Sequence, residues 1–159
     1  MTASTPRYRA ADLVAFARGL FAAAGCDGDK PQVIAELLVE ADLMGHTTHG
    51  LQLAGGYLEE IAQGRMKPAG EPSIVADRGA AVTWDGGTLP GVWLTVRAID
   101  LAVERAKSHG LCAIAIRRSH HIACLAAFLP RATAQGMMAM ILSSDPADAS
   151  VAPYGGLKA

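Results

Sequence analysis

Two short stretches of this chain concentrate the side chains that can give, take or hold a proton. The first is Ala41–Gly50, ADLMGHTTHG, where a helical pattern stops at Gly45 and polar residues crowd in with His46 and His49. The second is Arg117–His121, RRSHH, between an apolar run and the next periodic segment. Imidazole is the side chain whose unperturbed titration lies nearest neutrality, so a positioned His49 could act as a general acid or base. Thr48 beside it could hydrogen-bond the ring or a substrate oxygen. His121 is expected at the amino end of a helix that follows a buried strand. Ligands of α/β sheets bind at such places, where exposed backbone N–H groups favour phosphate. Ser119 would add a hydroxyl. The two turns are read as halves of one active site.

Plainer readings compete. His49 could cap a helix start or line a loop, and His120 and His121 could be surface residues. Metal binding by His46, His49, His120 and His121 is a weaker reading. No carboxylate stands at the spacing of H-E-x-x-H, and the helix breaks at Gly45, so no metal ligand is assigned. No G-x-G-x-x-G is present, which argues against a standard Rossmann dinucleotide site. Cys26, Cys112 and Cys124 form no C-x-x-C pair and read as buried thiols in a reducing cytoplasm.

The elements that must position these residues follow from periodicity. Leu13, Phe16, Ala17, Leu20 and Phe21 predict one face of a helix over 10–24, with Gly25 as its stop. Asp29 as N-cap and Pro31 in the first turn open a second helix, striped by Val33, Ile34, Leu37, Leu38 and Ala41. A third runs from Gly50 to Gln63 with Ala54, Tyr57, Leu58 and Ile61 inward. Pro68, Gly70 and Pro72 then mark a connector. Residues 73–76 and 81–84 read as strands joined by the turn Asp77-Arg78-Gly79, and Asp85-Gly86-Gly87 as a tight turn. A helix over 92–108 ends at Gly110, with His109 as a charge partner for its carboxyl end. Leu111–Ile116 predicts a strand buried on both faces, residues 121–134 a helix disturbed by Pro130, and Met137–Leu142 a second buried strand. The fold class is α/β: an amino-terminal helical layer over 1–66, then over 67–159 the start of a parallel-paired domain. The sheet looks unfinished, as in the front part of a longer protein.

Composition agrees with a packed domain. Of 159 residues 51% are hydrophobic and 18% charged, which excludes disorder, and the net charge of -1 offers no basic footprint for nucleic acid. No signal peptide and no membrane span are expected.

Taken together, the segments resemble the malate/L-lactate dehydrogenase family, which is unrelated to the Rossmann-type lactate dehydrogenases. Ala41-Asp42-Leu43, Gly45 and Thr48-His49-Gly50 are similar to its A-D-x-x-G-x-x-S-H-G pattern, with threonine for serine, and Tyr57 and Gly64 fall where it continues. Arg118–Ala123 resembles its second motif, and Ser144-Asp145-Pro146 with Val151–Gly156 its third. The resemblance implies a non-Rossmann α/β cofactor-binding fold, NAD or NADP as cofactor, and a cytoplasmic homodimer. It implies hydride transfer between nicotinamide and a 2-hydroxy acid or its 2-oxo or cyclic imino counterpart. His49 would be the proton donor, with Thr48 in a relay, and His121 the proton acceptor of some members. His121, Ile122, Ala123, Cys124, Leu125 and Ser144 would contact the cofactor. Many members carry a carboxylate-pairing arginine four residues past the motif histidine; here that residue is Leu53. The family also continues past the length of this chain. Two other classes compete: a catalytically silent fragment acting only in folding or association, and a histidine-based metal hydrolase.

Overall fold

A computed structural model describes residues 7–144. Three helices come first: α1 over Ala10–Ala23, α2 over Lys30–Leu43 and α3 over Leu53–Ala62. Gly45 takes a φ of 83°, the left-handed stop expected after α2. The buried stripe of α1 centres on Ala17 and Phe21, whereas Phe16, expected inward, is 66% exposed one step round the helix. Asp29 stands at the N-cap of α2 but does not cap it. Its carboxylate instead accepts the Trp93 indole N–H at 2.7 Å. Lys30 is fully buried, with its ammonium paired to Asp27 and lying 4.0 Å from the Trp93 ring centre, so the buried charge is compensated twice. No helix among the described residues is long and apolar enough to cross a membrane.

The second part is a three-stranded mixed sheet in the order β1 (Ser73–Asp77), β2 (Ala81–Asp85), β3 (Ala113–Arg117). β1 and β2 form an antiparallel hairpin, and β2 pairs in parallel with β3 through the crossover helix α4, Gly91–His109. The α/β class therefore holds. Val82, Trp84 and Ala98 pack with Leu101, Ile114 and Ile116 between sheet and α4. The larger core joins α1–α3 to Val92 and Val96 of α4 and to Ala123, Cys124, Ala127 and Phe128. His109 lies against Gly79 of the β1–β2 turn, while Arg105 grips that turn through Asp77 at 2.6 Å.

The stretch after β3 departs from the sequence reading. β3 alternates exposed and half-buried residues instead of being buried on both faces, because among the described residues one of its faces packs against α4 and Leu89. The helix expected over 121–134 is a loop, a 3-10 turn at Leu125–Phe128 and one helical turn, α5, at Pro130–Thr133. Pro130 sits where α5 starts, a place that needs no N–H donor. Consequently His121 does not stand at a helix amino end. Residues 137–142 form no strand, and Met138, Met140 and Leu142 are exposed. The parallel pairing is thus β2 with β3 and not β3 with 137–142. α3 begins at Leu53 and not Gly50, because a 3-10 turn, Thr47–His49, precedes it.

What replaces the missing helix is a loop seated on backbone. A Cβ at Gly91 would collide with the His120 carbonyl and stand 2.6 Å from that of His121, so only glycine lets α4 begin under the loop. The Thr88 N–H donates to the Arg118 carbonyl at 2.8 Å, and the His120 N–H donates to Leu89 at 3.2 Å. Asp85 ties down the loop's start. Its buried carboxylate accepts from Arg118 at 2.8 Å, from Arg117 at 3.1 Å and from the Gly87 N–H at 3.0 Å.

Gly91→Ala is expected to cost about 1–3 kcal/mol, because the clash is with carbonyl oxygens and not with a side chain that can swing away. Urea unfolding reads this directly, and an unchanged midpoint would refute the close approach. The Arg118 guanidinium holds the Asp85 carboxyl below its ordinary value, so its contribution to stability is complete above the usual carboxylate range. That contribution is lost as pH falls through the depressed value. Asp85→Asn is expected to lower the urea midpoint at neutral pH, with the gap from wild type closing under acid conditions. A gap that stays constant with pH would show that the carboxylate's charge is not what holds the loop.

Candidate active site

The turn that carries His49 is built on one carboxylate. Asp42, on the last turn of α2, accepts the Leu51 N–H at 2.8 Å. Its carboxylate fills the space that any side chain at residue 50 would need, and a Cβ there would stand 2.6 Å from Oδ2. This is the physical content of the Asp42…Gly50 spacing: an acceptor from one helix satisfies the chain entering the next. Between them the His49 N–H closes the 3-10 turn on the His46 carbonyl at 2.8 Å. His49 is exposed, and its Nδ1 lies 3.0 Å from the Thr48 hydroxyl.

The loop on Gly91 brings the second imidazole to the first. The rings of His49 and His121 are stacked, with centroids 6.0 Å apart and planes inclined by 29°. Tyr57 of α3, 4% exposed, puts its hydroxyl 2.7 Å from His121 Nδ1. Burial pushes that phenol well above its ordinary value, so it stays an O–H donor. Ala123 takes a φ of 55°, which turns its N–H back toward the same nitrogen at 3.3 Å. The neighbouring His120 faces the other way, with Nε2 3.4 Å from Glu60. The Arg65 guanidinium, bonded at 2.8 Å, and secondarily His120 hold the Glu60 carboxyl down to about 2, so it is ionised at any working pH.

Two open clefts flank the imidazoles. One, of about 230 Å³, is lined by His46, His49 and the run Ala123-Cys124-Leu125-Ala126. The other, of about 530 Å³, is lined by residues that include Gln52, Leu53, Tyr57, Glu60, His120 and His121. Of the residues expected at the site, His49, Thr48 and His121 come together, and Ala123, Cys124 and Leu125 line the smaller cleft beside them. Ile122 is half-buried with its methyl toward Gly91, and Ser144 is exposed. The expected third motif, Asp145-Pro146 and Val151–Gly156, lies outside the described residues. Among the described residues no three His, Cys, Asp or Glu side chains converge as metal ligands would. Sequence reasoning treated Tyr57 as a core residue, and only its spacing from His49 hinted at more. It also quoted Asp42 without seeing what it supports.

The family model described as malate/L-lactate dehydrogenase matches residues 8–159. Hydroxycarboxylate dehydrogenase B of Escherichia coli O157:H7 is 31% identical over 150 residues, covering 94% of this chain and 42% of that protein. The crystal structure of malate dehydrogenase from Entamoeba histolytica superposes with a TM-score of 0.80 at 25% identity, over 84% of this chain and 37% of the other. Δ1-Piperideine-2-carboxylate reductase from Pseudomonas syringae pvar. tomato gives 0.75 at 27% identity, over 83% and 40%. The chain thus spans about two-fifths of the length of the relatives it matches. With its two histidine turns joined as described and its match running from residue 8 to 159, the chain belongs to the malate/L-lactate dehydrogenase family.

Proposed function

We propose that this chain carries the proton-handling face of an NAD(P)-dependent oxidoreductase that interconverts 2-hydroxy acids with 2-oxo or cyclic imino acids. The observation that supports this best is the adjacency of the His49 and His121 rings at the mouth of two clefts. The similar proteins are named for hydroxycarboxylates, malate and a cyclic imino acid, which is consistent with one chemistry on several substrates.

The smaller cleft suits the reactive end of the cofactor. Its volume of about 230 Å³ suits one ring of the cofactor. Ala123, Cys124 and Leu125 give it an apolar wall against which a nicotinamide ring would pack. We keep His121, Ile122 and Ser144 as further contacts of the same cofactor. The nicotinamide, when bound, supplies or receives the hydride. His49 then moves the matching proton to or from the substrate oxygen, while Thr48 holds its Nδ1 and fixes the ring. His121 stands stacked beside it at the same mouth. The residues up to 66 form the helical segment with the Thr-His-Gly turn, and 67–159 the first part of the cofactor-binding domain. The whole protein is read as a cytoplasmic homodimer.

Leu53 and the cleft's two carboxylates bear on the substrate. Among the described residues, the lining of the larger cleft includes Glu59 and Glu60 but no arginine or lysine, and the nearby Arg65 is committed to Glu60. A second carboxylate on the substrate would meet no cation among these residues. Monocarboxylic 2-oxo acids are therefore expected to give higher kcat/KM than dicarboxylic ones in NADH or NADPH oxidation assays. The reverse order would refute this reading of the cleft. His49→Gln is expected to lower kcat/KM by about 10²–10⁴, the range for loss of a general acid–base. A variant that keeps full turnover would remove His49 from the chemistry.

A further inference from the structure

The two imidazoles differ in one respect that decides what each can do. His49 Nδ1 meets a threonine hydroxyl, which can donate or accept and so can follow the ring through a change of protonation. His121 Nδ1 meets the Tyr57 hydroxyl at 2.7 Å and the Ala123 backbone N–H at 3.3 Å. An amide N–H only donates. Its direction orders the group: the Ala123 N–H points at the imidazole nitrogen, and the phenolic O–H lies nearer that nitrogen, at 2.7 Å, than the His121 carbonyl, at 3.4 Å. A proton placed on Nδ1 would face the amide hydrogen head-on.

We propose that Tyr57 is a positioning residue that holds His121 as a neutral imidazole with its hydrogen on Nε2. In that tautomer His121 offers a substrate oxygen a hydrogen bond from Nε2, beside the ring of His49. The groups facing His121 are consistent with this. α3 contributes Tyr57, the 3-10 turn contributes His49 in stacked contact, and its own loop contributes the Ala123 amide. The ionised Glu60 is directed to His120 and Arg65. The helix amino end expected at His121 is absent, so no helix dipole acts on the ring from there. Only the identity of the oxygen rests on the dehydrogenase reading.

Long-range nitrogen–proton correlation NMR on the nitrogen-labelled chain, at neutral pH and without cofactor or substrate, reads the tautomer directly. His121→Gln and His49→Gln assign the two rings. The His121 spectrum is expected to show an unprotonated Nδ1 and a protonated Nε2. In Tyr57→Phe, which keeps the buried ring, the Nε2–H to Nδ1–H ratio of His121 should fall several-fold, up to about tenfold, the effect of one hydrogen bond. The ratio for His49 should not move. A wild-type His121 with its proton on Nδ1, or a ratio untouched by Tyr57→Phe, would overturn the proposal. Should Tyr57→Phe fail to fold, the wild-type spectrum alone still decides. Because nothing is turned over in this measurement, its outcome is separate from that of the kinetic test of His49.

Discussion

Everything at the site depends on one close approach of main chain to main chain. The carbonyls of His120 and His121 rest where a side chain on the first residue of α4 would be, and glycine at residue 91 is what allows it. Because the loop lies that low, the ring of His121 reaches the hydroxyl of Tyr57 and stacks beside His49. The loop's other fastenings follow from the same descent: Thr88 and Leu89 meet its backbone, and Asp85 binds both arginines that begin it. Three residues of the region have positive φ without being glycine, Thr88, Arg118 and Ala123, and all three lie on this loop or on the turn beneath it. Such backbone is retained where surrounding contacts over-determine it.

The opposite wall is set by an equally local device. Asp42 of α2 satisfies the amide that enters α3 and packs on Gly50, so the 3-10 turn between them presents His49 outward at a fixed height. Two acidic residues, Asp42 and Asp85, therefore hold the two halves of the site. Neither touches a substrate in this account. Both were visible in the sequence as parts of turns, and their role as acceptors for backbone or arginine could be read only from the fold.

How much could be read in advance follows from how local each determinant is. α1, α2 and α4 have apolar spacing within one element and glycine stops at their ends, so their limits could be placed to within a residue or two. The 121–134 stretch misleads because ACLAAF has the composition of a helix. Its backbone is instead spent on the amide contacts of Ala123 and on the core packing of Phe128. The LCAIAI and MMAMIL runs read as buried strands on composition alone. What covers a strand is decided by other parts of a protein, and among the described residues α4 and Leu89 do so on one face for Ile114 and Ile116. The histidine pair was legible as two turns and a family pattern. The link between them, Tyr57, was not, because a tyrosine at an inward helical position looks like core until its hydroxyl is given a partner far along the chain.

The central claim is that His49 and His121, distant in sequence, share one mouth in the folded chain. Nuclear Overhauser contact between their assigned ring protons tests it most directly in solution. The account predicts cross-peaks between the two imidazoles in wild-type protein at neutral pH. Fully assigned rings with no contact between them, each close only to its own turn, would contradict it.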